Sequence, residues 1–230
     1  MSKLYFSYAA MNAGKSTVLL QAAYNYEERG LRSLLFTSAL YARADEGHIT
    51  SRIGISANAL PYAEADDLYA WINREHRKKK IDCVFVDEAQ FLTKQQVWQL
   101  ARVADRLGIP VLCYGLRTDF RGELFPGSAE LLAIADNLRE IRTICHCGSK
   151  ATMVVRRAPD GRAIMRGDQV GIEKSMYVSL CRRHWEEETG RWPLASTLKA
   201  KPAAPARKTP AVKKAKPARR SPAQSRRAAR

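Results

Sequence analysis

LYFSYAAMNAGKST, residues 4–17, is the stretch from which the rest of the chain can be read. It opens as an apolar run, passes through small residues and ends in Gly14-Lys15-Ser16-Thr17. Helix-favouring residues then continue to Arg29, with Gly30 placed as a C′ residue. A strand, a small-residue loop and a helix start in that order form a cradle for phosphate. Backbone N–H groups curl around the anion, and the helix N-terminus adds about half a positive charge. Gly14 allows close approach, Lys15 reaches the outer phosphates, and the Ser16 hydroxyl is suited to Mg²⁺. Ala9 stands where this pattern usually has glycine, a change that a residue of negative φ tolerates.

Working outward, further short apolar runs alternate with helical patterns. Strands are expected at 33–38, along IDCVFVDEAQF (81–91) and at 111–116. Helices are expected at 66–79 with Asp66 as N-cap, from a Thr93/Gln96 capping box to Leu107, and from Ser128 through Leu138. Alternation of this kind predicts an α/β fold, a parallel sheet covered on both faces. The expected organisation is a nucleotide-binding domain at 1–140, a small lobe rich in Cys, Arg and Gly at 141–190, and a tail at 191–230.

The second decisive stretch is VFVDEAQ, residues 84–90. It sets two carboxylates at the C-terminal end of a buried strand, the edge where ligands of open α/β sheets bind. Asp87 fits the role of holding Mg²⁺, and Glu88 is then free to act as a base toward an attacking hydroxyl. Two function classes use this pairing. A nucleic-acid-dependent ATPase would need a second lobe, and the residues after Gln90 do not contain one. A small-molecule kinase needs one lobe and an acceptor pocket.

Composition narrows the classes further. The 230 residues carry a formal net charge of +16, but Lys199–Arg230 holds twelve Lys or Arg and no acid, leaving +4 on the rest. The folded part is therefore only mildly basic, and its pI is no sign of nucleic-acid binding. No apolar run of about 18 residues occurs, and the N-terminal residues lack a secretory pattern, so a cytoplasmic protein is expected. Of five cysteines, Cys83 and Cys113 sit in apolar runs, whereas Cys145, Cys147 and Cys181 lie near His146 and His184. In a cytosolic chain such a cluster points to metal rather than disulfides.

MNAGKST (11–17), YNYEERG (24–30), SRIG (51–54), VDEAQFLT (86–93), PVLCYGLRTDFRGELFPGS (110–128), TICHCGSKA (143–151) and YVSLCRRH (177–184) together resemble the type II thymidine kinases, the zinc-containing tetrameric class. The resemblance runs from Leu4 to about His184. It implies a recombinase-like P-loop domain, a zinc-bearing lobe and a lasso closing over a nucleoside. The implied reaction is transfer of the ATP γ-phosphate to the 5′-hydroxyl of thymidine, in nucleotide salvage for DNA synthesis, by a homotetramer. It assigns ATP binding to Ala9, Ala10, Met11, Asn12, Ala13, Gly14, Lys15, Ser16, Asp87 and Gln90, and proton abstraction to Glu88. Met11, Leu116, Phe120, Phe125, Val170, Gly171, Ile172 and Tyr177 match positions lining the thymine pocket. Aromatic rings there suit a flat base. The family often has Asp where Tyr41 stands, although Arg43 remains, and the run before Tyr177 is one residue shorter than usual. Arg121 is a candidate to neutralise the transferring phosphoryl group.

Cys145-His146-Cys147 and Cys181-x-x-His184 offer two ligand pairs for tetrahedral Zn²⁺. The resemblance supports Cys145, Cys147, Cys181 and His184, with His146 a rival for one place. Four protein ligands leave no open position, so this zinc would be structural. The tail has too little apolar content to fold and is expected to be disordered. Its composition suits nucleic acid or another polyanion as partner.

Overall fold

The computed structural model describes residues 2–40, 47–167, 169 and 176–191, all within a compact unit ending at Arg191. Tyr41, Arg43, residues 170–172 and the basic tail lie outside the described residues.

The centre is a parallel sheet of β1 (Leu4–Ala9), β2 (Ser33–Ser38), β5 (Leu60–Tyr62), β6 (Cys83–Val86), β7 (Val111–Leu116) and β8 (Asn137–Glu140). Its spatial order is β5-β2-β6-β7-β1-β8. The middle strands are apolar on both faces: Val84, Phe85 and Val86 have no exposure, nor has Phe6 of β1. Helices are therefore required on both sides. One face packs α1 (Lys15–Glu28) through Leu19, Leu20 and Ala23 onto Phe85 and Tyr114. The other holds α2 (Leu68–Lys78), α3 (Lys94–Arg102) and α4 (Pro126–Ile134) through Ile72, Val97, Leu100 and Leu131. No helix among the described residues is long and apolar enough to cross a membrane.

The boundary signals have physical outcomes. Gly30 sits at φ 71° beyond α1, and the Gly30 and Leu31 amides donate to Glu27 and Tyr26 carbonyls, closing a Schellman turn. Thr93 and Gln96 form the reciprocal capping box. The helix after the capping box does reach Leu107 as expected, with its last turn, Val103–Leu107, widened to π geometry and Gly108 at φ 68° ending it. Three expectations are corrected. The N-cap of α2 is Asp67, whose carboxylate accepts from Ala70 N at 2.9 Å, while Asp66 accepts from Ala63 N in the preceding turn. The helix expected through Leu138 stops at Ile134, because Asp136 accepts from Leu4 N at 2.7 Å and draws residues 137–140 onto the open edge of β1. Ser128 lies inside α4, donating to Leu116 O at 2.5 Å, rather than capping it.

A hairpin of β3 (His48–Thr50) and β4 (Ser56–Asn58) stands beside α1. The short strands β9 (Thr143–Ile144), β10 (Lys150–Ala151), β11 (Met153–Arg157) and β12 (Met176–Leu180), with α5 (Arg182–Thr189), make a small lobe. It has its own core of Cys145, Ala151, Val155, Leu180 and Trp185. Trp185 Nε1 donates to Phe120 O at 3.3 Å and Val154 O at 2.9 Å, which ties the lobe to the loop after β7.

Candidate active site

β1 and β6 are separated by β7, yet their C-terminal ends deliver groups to one place. Ala9 and Ala10 are buried where β1 ends, and Ala9 is not among the residues of positive φ, so alanine fits there without strain. Asn12 (φ 61°) and Gly14 (φ 80°) turn the backbone left-handed, and α1 begins at Lys15. Successive amides in such a turn face inward as an anion nest. Ser16 Oγ donates to Asp87 Oδ2 at 2.8 Å, so the loop and the acidic strand are already joined. A cavity of about 400 Å³ is bordered by Met11–Thr17, Asp87, Glu88 and Leu116, together with residues 48–53 of the hairpin.

The acids are held by specific packing. Asp87 is 3% exposed, and burial pushes its carboxyl up to about 6; the Glu88 charge adds to the rise, while Ser16 and Lys15 oppose it. A buried carboxylate of this kind is stabilised by a cation. Ser16 and Asp87 offer the oxygen donors that Mg²⁺ favours, beside the phosphate nest, so the residues present fit that ion. Glu88 adopts φ 52°, uncommon for a non-glycine residue. It is locked from three sides: its N–H donates to Asp87 Oδ1, its carbonyl accepts from Tyr62 Oη at 3.0 Å, and its carboxylate accepts from Gln90 Nε2. Gln90 in turn accepts from Leu116 N at 2.9 Å. Gln90 thus engages Glu88 and the end of β7, and it does not border the phosphate cavity.

Two glycines permit this arrangement. A Cβ on Gly115 would lie 2.9 Å from Gln90 Oε1, and one on Gly127 would lie 2.6 Å from Ala89 O and 2.7 Å from Leu92 O. Neither glycine has positive φ, so each is needed for space rather than for conformation.

Met11 and Leu116 also border a second pocket, with Phe91, Phe120, Phe125, Val154 and Tyr177. Its open space is only about 20 Å³, enough for a water molecule. Phe91 and Phe125 meet edge to face at 5.8 Å. The structure brings together Met11, Leu116, Phe120, Phe125 and Tyr177 as the sequence proposed. It adds Phe91, Val154, Thr118, Asp119 and Gln169, which sequence reasoning missed. Phe91 carried a usable signal, since it closes the same motif as Glu88. Arg121 is engaged by Asp119 at 2.9 Å and Glu123 at 3.0 Å and does not border the phosphate cavity.

In the small lobe, Cys145, Cys147, Cys181 and His184 place their ligand atoms within 4.8 Å of one another. His184 Nδ1 is 3.3 Å from both Cys145 and Cys181 Sγ, and the Cys147 and Cys181 sulfurs are 3.9 Å apart. A tetrahedron with bonds of about 2.3 Å to sulfur and about 2.0 Å to nitrogen has edges of roughly 3.5–3.8 Å, so the four atoms fit Zn²⁺. The Ser149 hydroxyl and backbone amide bring the Cys147 thiol down to about 6, toward the thiolate a metal needs. His146 stacks on His184 at 4.2 Å with Nδ1 3.7 Å from Cys145 Sγ, outside the four-atom set. The lobe also touches the phosphate loop. Asn12 Nδ2 donates to Tyr177 O at 3.3 Å, and Ser179 Oγ donates to Met11 O.

This geometry agrees with sequence comparison. A family model described as thymidine kinase matches residues 2–185. A thymidine kinase of Mesorhizobium japonicum is 62% identical over 191 residues, covering 83% of this chain and 94% of its own length. One of Rhizobium meliloti is 63% identical over 190 residues, covering 81% and 97%. One of a Jannaschia species is 57% identical over 195 residues, covering 84% and 100%. A nucleotide cradle joined to paired acids, an adjoining aromatic pocket and this extent of similarity lead to one conclusion: the chain belongs to the thymidine kinase family.

Proposed function

We propose that the chain transfers the γ-phosphoryl group of ATP to the 5′-hydroxyl of thymidine, giving ADP and thymidine 5′-monophosphate. The observation that carries this reading is the shared wall formed by Met11 and Leu116, which separates the phosphate cavity from the aromatic pocket. A nucleoside whose base lies among Phe91, Phe120 and Phe125 would present its sugar hydroxyl at that wall. Glu88 takes the proton of the 5′-hydroxyl as the oxygen–phosphorus bond forms and the bond to the ADP oxygen breaks. Gln90 and Tyr62 keep Glu88 in place through the transfer. Mg²⁺, held by Ser16 and Asp87, would offset phosphate charge. Lys15, 8% exposed at the start of α1, contacts the outer phosphates.

Zn²⁺ on Cys145, Cys147, Cys181 and His184 is read as structural, because four protein ligands complete its coordination. The homotetramer is carried over from the family resemblance, and the cytoplasmic location from the composition. The tail lies beyond residue 185, where the matched family segment ends, and is read as an added polyanion-binding element. Incubation with ATP, Mg²⁺ and thymidine, with and without DNA, tests the reading. Thymidine 5′-monophosphate formed without DNA supports it. ATP hydrolysis that requires DNA and yields no phosphorylated nucleoside would favour a nucleic-acid-dependent ATPase instead.

A further inference from the structure

Fully ionised ATP brings about four negative charges to its site. Asp87 and Glu88 border the same cavity and oppose further negative charge, while Mg²⁺ and Lys15 together do not balance that load. Arg121 and Arg117 are engaged elsewhere, the first by Asp119 and Glu123, the second by Thr152 O at 3.0 Å. Only one other Lys or Arg among the described residues borders the cavity, and it is Arg52.

Arg52 sits at the tip of the β3–β4 hairpin, in the SRIG segment, residues 51–54. The tip is a built turn. Ser51 is 5% exposed; its N–H donates to Ile55 O at 2.8 Å, and its Oγ accepts from Ile55 N at 3.2 Å. Gly54 takes φ 86° and donates to Ser51 O. Below the turn, Ile49 is buried against α1, the helix whose N-terminus forms the phosphate loop. A firm base therefore carries an exposed guanidinium that has no hydrogen bond or ion pair among the described residues. Arginine is suited to this role: its planar fork binds phosphate bidentately and is less strongly hydrated than an ammonium group.

We infer that Arg52 is a further catalytic residue, contacting the γ-phosphoryl group of bound ATP and stabilising the charge it carries during transfer. This rests on the kinase reading above. The guanidinium swings from the cavity rim onto the γ-phosphate, remains protonated throughout, and no bond to it is made or broken. ADP lacks its target, so Arg52 distinguishes the triphosphate from the diphosphate.

The test compares wild type with Arg52→Ala and Arg52→Lys. Turnover in Arg52→Ala is expected to fall on the order of 10³-fold, as for arginines that serve transferring phosphoryl groups. Affinity for a non-hydrolysable ATP analogue should drop about tenfold, while ADP affinity stays within about twofold. Arg52→Lys should keep analogue binding but recover little turnover, because it restores charge without the fork. Added guanidinium should restore part of the Arg52→Ala rate, whereas methylammonium at equal ionic strength should not. Retention of turnover within about threefold, or equal losses of analogue and ADP affinity, would overturn the assignment. The binding arm needs no acceptor, so a wild-type enzyme inactive on thymidine would sink the kinase reading while still reporting on Arg52.

Discussion

The phosphate end and the cysteine lobe hold their functional atoms by opposite means. At the phosphate end, Asp87 and Glu88 follow a strand whose Val84, Phe85 and Val86 are fully buried, and Ala89 and Gln90 after them are buried as well. In the lobe, a core of five buried residues faces two short ladders, and four ligand atoms gather within 4.8 Å. Burial of apolar area can position the first site without any ion. A core as small as the second needs a staple, and a metal is the staple its side chains offer. The two are coupled where Tyr177 and Ser179 of β12 touch Asn12 and Met11.

The largest expected effect lies wholly on the phosphate side. Glu88→Gln keeps size and polarity but removes the base, so turnover should fall by about 10²–10⁴-fold with ATP affinity preserved. Steady-state rates and nucleotide titration measure this, and a variant with wild-type turnover would remove Glu88 from the chemistry.

Cys181→Ser breaks the lobe instead. Zinc affinity should fall by more than about 10-fold, the scale at which even outer-sphere changes act. Metal analysis should give one zinc per chain for wild type and less for the variant. Hydrogen exchange should accelerate in Met176–Leu180 and, through the β12 contacts, in the phosphate loop, while β6 and β7 stay protected. Uniform loss of protection would mean that the metal supports the whole fold and that the contrast drawn above is wrong.

Gly127→Ala sharpens the packing side of the comparison. The added methyl would meet the Ala89 and Leu92 carbonyls at 2.6 and 2.7 Å, so thermal unfolding should report a loss of about 1–3 kcal/mol. Turnover should fall as well, because the displaced turn carries Glu88. Unchanged stability would mean that α4 and the acidic turn separate easily.

Asp87 gives a smaller, pH-dependent effect. Its folded pKa, about 6, is raised, chiefly by burial, above the ordinary value of 3.8. The native state therefore binds more protons than the unfolded chain between these values. Its stabilising contribution is present below about pH 4 and is lost as pH rises through about 6. Without added Mg²⁺, Asp87→Asn should lack this decline and be more stable than wild type near pH 7, by about 1–2 kcal/mol. Denaturant titrations across pH 4–8 read the difference, and parallel curves for the two proteins would refute it.

The smallest effect on catalysis is expected from removing residues 195–230. Thymidine phosphorylation should stay within about twofold, since the assigned catalytic and metal residues precede the tail. Binding to non-specific DNA at low salt should weaken strongly, and the gap should narrow at higher salt as counterion release gains less. Loss of activity on truncation would give the tail a part in the fold or the assembly.

Much of this was legible before any coordinates. The phosphate loop, the Asp87–Glu88 pair and the parallel sheet each follow from local pattern: an apolar run, a glycine before Lys-Ser-Thr, adjacent acids; the choice of four ligands over His146 came from the family resemblance. Less legible were features that depend on a distant partner. The turn of Asp136 onto Leu4 reads as continued helix when taken locally, because the stopping hydrogen bond spans 132 residues. The placement of Gln90 is similar, since its amide is claimed by Glu88 and by Leu116 N across the sheet. Arg52 and Arg121 look equally available as cations in sequence, and only the carboxylates around Arg121 separate them.

By itself the sequence determined the fold class, the loop before Lys15, the adjacent acids at the end of β6 and the pairing of Cys and His in the lobe. Each of these rests on neighbouring residues and on backbone periodicity, which act over a few positions. Only the tertiary structure decided that Gly115 and Gly127 make room for the acidic turn, and that Met11 and Leu116 border both pockets. It also decided that, among the described residues, Arg52 borders the cavity beside Lys15 while Arg121 does not. The physical reason is steric and electrostatic: exclusion and charge pairing act between atoms close in space, and residues distant along the chain meet only once the sheet has formed.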